Sequence, residues 1–231
     1  MADSATTPSR RERLRAQTLA EIREHAYAQI ARGGPAALSL NGIAKAMGMS
    51  GPALYRYFAS RDELMATLVT ESYEDLADTV DAAIEQTRQN SGERRLRSVT
   101  GAVREWALGA PHRYRLVFGS TYGSGELDPE RVIPAAHRPM SAILAALSDI
   151  GSGHDSVGDG VLRRQLRRWA QNTGEAHDDT SVLLLGLTAW TRMHGILSLE
   201  IEGFFTQMGI DSGRLYQAEI DHLIAQRTSH S

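Results

Sequence analysis

Apolar residues recur at helical spacing along nearly the whole chain. Leu19, Ile22, Ala26 and Ile30 form one stripe and predict a helix over about 10–32, ended by Gly33-Gly34-Pro35. Leu40, Ile43, Ala44 and Met47 predict a short helix over 39–46. Leu54 and Phe58, at i and i+4, predict another over 50–57. A long helix opens after Ser60, with Leu64, Leu68, Leu76, Val80 and Ile84 on one face, and ends near 89–92. Leu96, Val99, Val103, Trp106 and Ala107 mark the next, over 93–109. Pro111 to Tyr122 is expected as a short helix stopped by Gly123-Ser124-Gly125. Pro129 to Ile150 follows, with a kink expected near Pro134 or Pro139. Val161–Asn172, 180–202 and 211–227 complete the set, with Leu215, Ile220, Leu223 and Ile224 on the last. Residues 151–160 and 173–179 are expected loops, and residues 1–9 a disordered polar tail. No strand-type alternation and no internal repeat interrupts this pattern, so the expected fold class is all-α.

The punctuation of residues 39–64, SLNGIAKAMGMSGPALYRYFASRDEL, is the most specific part of the pattern. Ser39 stands at an N-cap position and Gly48 where a turn needs positive φ. Ser50 is an expected cap for the second helix, and Pro52 falls in its first turn, where a missing N–H costs little. Small Ala44 lets the two helices approach closely. This is a helix-turn-helix arrangement, whose second helix has the dimensions to enter a DNA major groove.

On Ile43-Ala44, Gly48, Ser50, Leu54-Tyr55, Tyr57-Phe58 and Ser60-Arg61-Asp62-Glu63-Leu64, the stretch resembles the N-terminal domain of TetR-type transcriptional repressors, over roughly residues 14–70. The resemblance implies a DNA-binding domain over 10–62 and a ligand-binding and dimerisation domain over 63–231. It also implies roles for single residues. Tyr55 and Tyr57 would donate to phosphate oxygens, or one of them would be a core aromatic. Ser39 and Ser50 would hold phosphates at helix N-termini, cap those helices, or both. Lys45 and Arg61 would face the DNA backbone or stand solvated. Gly51, Pro52 and Ala53 begin the reading helix without a polar side chain, so the bidentate contacts of Arg or Gln to bases are not available there. Pro52 and Ala53 would pack on thymine methyls instead, and Asn41 is the candidate to read a base edge. Arg10, Arg11, Arg13 and Arg15 would form an arm along the minor groove or the backbone, or a solvated terminus.

Charge changes the picture through its distribution. The chain of 231 residues has a net charge of −3, which by itself speaks against a nucleic-acid partner. Residues 1–61, however, hold nine basic and four acidic residues, a balance of +5, and the remainder stands at −8. A positive head on an acidic body suits one end that meets phosphates. The absence of cysteine excludes disulfides and thiolate zinc sites. A polar N-terminus and a longest strongly apolar run of only Val182 to Trp190 predict a soluble, cytoplasmic protein with no membrane partner. No cofactor or metal is expected.

Residues 190–200, WTRMHGILSLE, form a second informative stretch. Trp190, His194 and Gly195 resemble the C-terminal regulatory domain of the same family that is named for a Trp-His-Gly pattern. A glycine inside an apolar helix is costly unless something packs closely against it. Leu183, Leu184, Leu187, Trp190, Ile196, Leu197, Leu199 and Ile201 are too many for one stripe, so this helix is expected to be buried on several sides. The resemblance implies a homodimer in which helices 180–202 and 211–227 pair with their symmetry mates, and an unidentified small-molecule effector. Trp190 and His194, one turn apart, are candidates to line its pocket, or are plain core. The same two readings hold for Trp106, Tyr114, Phe118 and Tyr122. The basic run Arg163 to Trp169 would touch DNA, an acidic ligand or a membrane, or form a solvated face paired with Glu175, Asp178 and Asp179.

Two other function classes compete with this one. An enzyme has no support in the sequence, because the histidines at 25, 112, 137, 154, 177, 194, 222 and 230 are scattered and no nucleophile elbow or phosphate loop occurs. A helical interaction module with a vestigial helix-turn-helix would explain the Gly-Pro-Ala start of the reading helix. The expected function is that of a sequence-specific DNA-binding regulator, a repressor released from a pseudo-palindromic operator by a small ligand.

Overall fold

The computed structural model describes residues 9–119, 127–151, 160–175 and 179–228. Its elements are helical throughout: α1 (Arg10–Gly33), a 3-10 turn (Pro35–Ala37), α2 (Leu40–Ala46), α3 (Gly51–Leu54), α4 (Arg61–Thr87), α5 (Gly92–Gly109), α6 (Pro111–Phe118), α7 (Pro129–Ser148), α8 (Gly160–Thr173), α9 (Thr180–Ile201), α10 (Phe204–Met208) and α11 (Ser212–Thr228). The all-α expectation holds. The 3-10 turn and α10 were not foreseen, since elements of three and five residues are too short to show a period. The expected Gly123-Ser124-Gly125 stop, the 1–9 tail and most of the 151–160 loop lie outside the described residues.

Two compact units share the chain. The first comprises Met1–Ser72 and His112–Asp128, the second Tyr73–Pro111 and Pro129–Ser231. The division falls inside α4, between Ser72 and Tyr73, so the chain crosses it as one continuous helix. It falls there because Leu64, Met65 and Leu68 are buried with the first core, and the Tyr27 hydroxyl donates to Leu68 O at 3.1 Å and lies 3.2 Å from Ser72 Oγ. α6 goes with this unit because His112 packs edge-on to the Tyr27 ring, and the Arg113 guanidinium sits 4.6 Å over it.

In the first unit, Ile22, Ala26 and Ile30 of α1 meet Leu40, Ile43 and Ala44 of α2, with Leu54 and Phe58 closing the core. α1 begins with a capping box: Ser9 Oγ accepts from Glu12 N, and the Glu12 carboxylate accepts from Ser9 N. Gly48, at φ 65°, makes the turn between α2 and α3.

In the second unit α9 is the central strut, packed on α5, α7, α8, α10 and α11. By length and composition α9 is long and apolar enough to cross a bilayer, which the run Val182–Trp190 alone did not suggest. Here Leu183, Ala189, Met193 and Leu197 are buried in the unit's own core. α7 runs from Pro129 to Ser148 with Pro134 and Pro139 inside it. Tyr216 of α11 is fully buried and donates to Thr100 O at 2.8 Å.

Two glycines of α5 meet different surroundings. A Cβ at Gly92 would stand 2.7 Å from Ala146 O and 2.9 Å from Ile150 N, both backbone atoms. Nothing lies within 4 Å of a Cβ at Gly101. Gly92→Ala is therefore expected to cost about 1–3 kcal/mol by overpacking. Gly101→Ala is expected to stabilise by about 0.5–1 kcal/mol. Denaturant unfolding of the two variants checks the opposite signs.

Candidate nucleic-acid interface

The reading head is built from α2 and α3. Ser39 caps α2, its Oγ accepting from Gly42 N at 3.1 Å. The sequence did not reveal that Gln29 of α1 steadies this start, accepting from Ser39 N at 2.8 Å. Ser50 occupies the N-cap position of α3 but makes no capping hydrogen bond, so that part of the expectation is corrected and its hydroxyl is left exposed. The second helix is also shorter than the expected 50–57. After Leu54 the bonding tightens, with Arg56 N donating to Ala53 O and Tyr57 N to Leu54 O.

Asn41, Lys45, Pro52 and Tyr55 are exposed, and Gly51 and Ala53 are partly so. The Asn41 side-chain oxygen lies 3.5 Å from where a Gly51 Cβ would be, so the base-edge candidate and the start of α3 share one surface. Tyr55 is 48 % exposed. Tyr57 is half-buried under Arg15, whose guanidinium carbon is 5.2 Å from the ring centre.

Arg61 is employed within the fold. Its Nε donates to Leu38 O at 3.1 Å and its terminal nitrogen to Pro35 O at 2.7 Å, and it pairs with Asp62 at 3.3 Å. The guanidinium thereby ties the lead-in of α2 to the start of α4. The sequence carries no signal for this, because both main acceptors are backbone carbonyls.

The candidate effector residues fall in both units. Trp106 is buried in the second unit and donates from Nε1 to Asp75 at 2.8 Å. Tyr114 and Phe118 belong to the first unit, with ring centres 5.1 Å apart, and burial pushes the Tyr114 hydroxyl up to about 12. Tyr122 lies outside the described residues. Trp190 and His194 stack edge-to-face with centres 4.3 Å apart. A groove of about 710 Å³ opens between α9 and α11, lined by Arg192, Gly195, Leu199, Phe205, Leu215 and His222 among others, and neither Trp190 nor His194 lines it. No atom lies within 4 Å of a Cβ at Gly195, whereas a Cβ at Gly186 would come 2.4 Å from Leu144 Cδ2. The close approach in this helix is thus at Gly186. Leu187 and Leu199 are exposed on α9.

The basic side chains of α8 are exposed, without Glu175 or Asp179 as their partners. Arg163, Arg164, Arg167 and Arg168 are exposed, but Glu175 accepts from Ser141 Oγ at 2.6 Å and Asp179 caps α9, so these acids serve elsewhere. Asp178 lies outside the described residues.

Against this geometry, comparison with known proteins is decisive. Residues 22–68 match the family described as bacterial regulatory proteins, tetR family, and residues 96–223 match the tetracyclin repressor-like C-terminal domain. The HTH-type transcriptional regulators Rv1816 of Mycobacterium tuberculosis and Mb1846 of Mycobacterium bovis are each 34% identical over 227 residues, covering 96% of this chain and 97% of theirs. The chain belongs to the TetR family. It is a DNA-binding transcriptional regulator with a helix-turn-helix head. Among solved structures, SCO4313 aligns over 94% of this chain and 98% of its own with a TM-score of 0.77 and 41% identity. The TetR family transcriptional regulator PfmR of Thermus thermophilus, at 20% identity, 88% and 96% coverage and a TM-score of 0.56, shares the fold.

Two of these contacts have measurable outcomes. Arg61→Ala should lower stability by about 1–3 kcal/mol in thermal unfolding, because it strips two carbonyls of a charged donor. A residue that served phosphate alone would leave unfolding unchanged and alter only DNA affinity. The second outcome concerns His194, which burial pushes down to about 4. The unfolded chain binds this proton below about 6.5 and the fold does not. The stability is therefore complete above about 6.5 and is lost as pH falls toward about 4. His194→Gln should flatten the loss of unfolding free energy over that window, by at most about 3 kcal/mol at its acid end, as read by denaturant unfolding at a series of pH values.

Proposed function

We propose that this TetR-family regulator is a dimeric repressor that binds a pseudo-palindromic operator and is released from it by a small molecule. The observation that carries the reading is the surface shared by Asn41 and the start of α3, flanked by exposed Tyr55 and Lys45. Asn offers a bidentate match to adenine, Pro52 and Ala53 fit thymine methyls, and Tyr55, Tyr57, Ser39, Ser50 and Lys45 are assigned as donors to phosphate. Arg61 acts mainly by holding this surface in place.

The pairing surface is assigned to α9 and α11. Leu187 and Leu199 lie exposed on an apolar helix, and Gly195 leaves room beside them for a partner helix. A two-fold dimer presents two reading heads to half-sites one helical turn of DNA apart, about 34–36 Å, or a multiple of it. The effector is assigned to the second unit, with Trp106, Trp190 and His194 as candidate lining. It lowers operator affinity to the extent that it binds the DNA-free conformation better. The protein acts in the cytoplasm.

Selection of bound sequences from random duplexes tests the reading. The expected outcome is one enriched inverted repeat. Asn41→Ala should relax the preference at one position of each half-site, at a cost of about 1–3 kcal/mol. Tyr55→Phe should weaken binding evenly across sequences. Recovery of no sequence, or of a single unrepeated site, would sink the dimeric operator reading.

A further inference from the structure

Arg10, Arg11, Leu14, Arg15 and Thr18 stand at i, i+1, i+4, i+5 and i+8, so they share one face of α1. Together with Arg56 and Tyr57, from the turn that follows α3, they line a groove of about 570 Å³. Four guanidinium groups thus face one depression at the edge of the reading head. Among the described residues none of the four has an ion pair or a hydrogen bond. Other arginines of the same unit are engaged, Arg23 with Glu71 and Arg61 with Asp62 and two carbonyls.

The nearby acid, Glu12, forms no ion pair with any of the four, so the groove keeps a positive balance even with that carboxylate ionised. Glu12 is held below the usual carboxylate range by the backbone N–H and hydroxyl of Ser9, and its carboxylate closes the capping box. That box fixes where α1 starts and so presents Arg10 and Arg11 on an ordered first turn. Arg15 is placed differently, its guanidinium carbon over the Tyr57 ring. Such a cation–π contact draws on the ring's negative face and occupies no hydrogen-bond acceptor, so the guanidinium N–H donors remain for other partners.

From these observations we propose that the groove grips the phosphate backbone of operator DNA, outside the base pairs that α3 reads. A duplex is favoured as occupant by the charge of the groove and by its continuity with the reading head. α1 itself, about 10–12 Å across, is too wide for a minor groove of about 6 Å and would lie along the backbone. The contact is assigned to phosphates, which adds affinity without sequence preference. This inference rests on the operator reading given above.

The test is the salt dependence of binding, read by fluorescence anisotropy with a duplex carrying the selected inverted repeat and with a scrambled duplex. Each lost phosphate contact lowers the slope of log K against log salt by about 0.9. Arg10→Ala/Arg11→Ala should lower it by about 2 per bound subunit, weakening both duplexes alike and keeping their ratio. Arg15→Leu, which keeps a side chain packed on Tyr57, should lower it by about 1. Arg163→Ala/Arg164→Ala on α8 removes the same charge elsewhere and should leave the slope unchanged. Circular dichroism confirms that each variant is folded. An unchanged slope in the α1 variants, or an equal drop in the α8 variant, overturns the groove while the operator reading stands. A loss confined to the inverted repeat also overturns it, since it would mean base reading. A wild-type protein that does not prefer the repeat sinks both.

Discussion

The second unit is organised by how closely α9 can approach α7. At Gly186 a single methyl group would strike Leu144, so the two helices meet almost backbone to side chain at that point. This contact sets the depth at which α9 sits. With that depth fixed, Leu183, Ala189, Met193 and Leu197 turn inward, while Leu187 and Leu199 are left on the outside. The apolar surplus of this helix is thereby divided between an internal core and an outward face. α5 repeats the device at its own start, where Gly92 lies against the last turn of α7. Small residues at crossings, rather than large ones in the middle, determine which surfaces remain for other molecules.

The first unit relies on polar ties as much as on its core. Gln29 steadies Ser39, Arg61 binds the carbonyls of Pro35 and Leu38, and Tyr27 joins α1 to α4. α3 contributes only four helical residues, too few to persist by propensity. Its position is owed to Leu54 and Phe58 in the core and to these ties around it.

Much of this was legible beforehand. Long helices announce themselves through periodic apolar positions, and α1, α4, α5, α9 and α11 fell close to where the pattern put them. The helix-turn-helix was legible through Ser39, Gly48 and Pro52, whose local chemistry has few other uses. What stayed hidden shares one cause. The partners of Arg61 and Gln29 are main-chain groups, which leave no mark on the sequence. The choice between Gly186 and Gly195 as the point of close approach depends on which face of α9 meets α7, and both faces are apolar. The tightening after Leu54 depends on hydrogen-bond geometry that residues 55–57 do not encode. Of the acids expected to pair with α8, Glu175 and Asp179 were nearby in sequence but are taken by Ser141 and the cap of α9.

The Arg61 tie has a consequence for anyone building hybrid regulators. Family members are natural donors for exchanging reading heads, and the obvious cut is at the start of α4. A cut there would separate Arg61 from the carbonyls of Pro35 and Leu38, which it holds across the chain. A graft that carries α1 through the first turns of α4 keeps donor and acceptors from one parent, along with Leu64 and Leu68, which complete the same core. The transplantable cassette is therefore longer than the motif that gives the head its name.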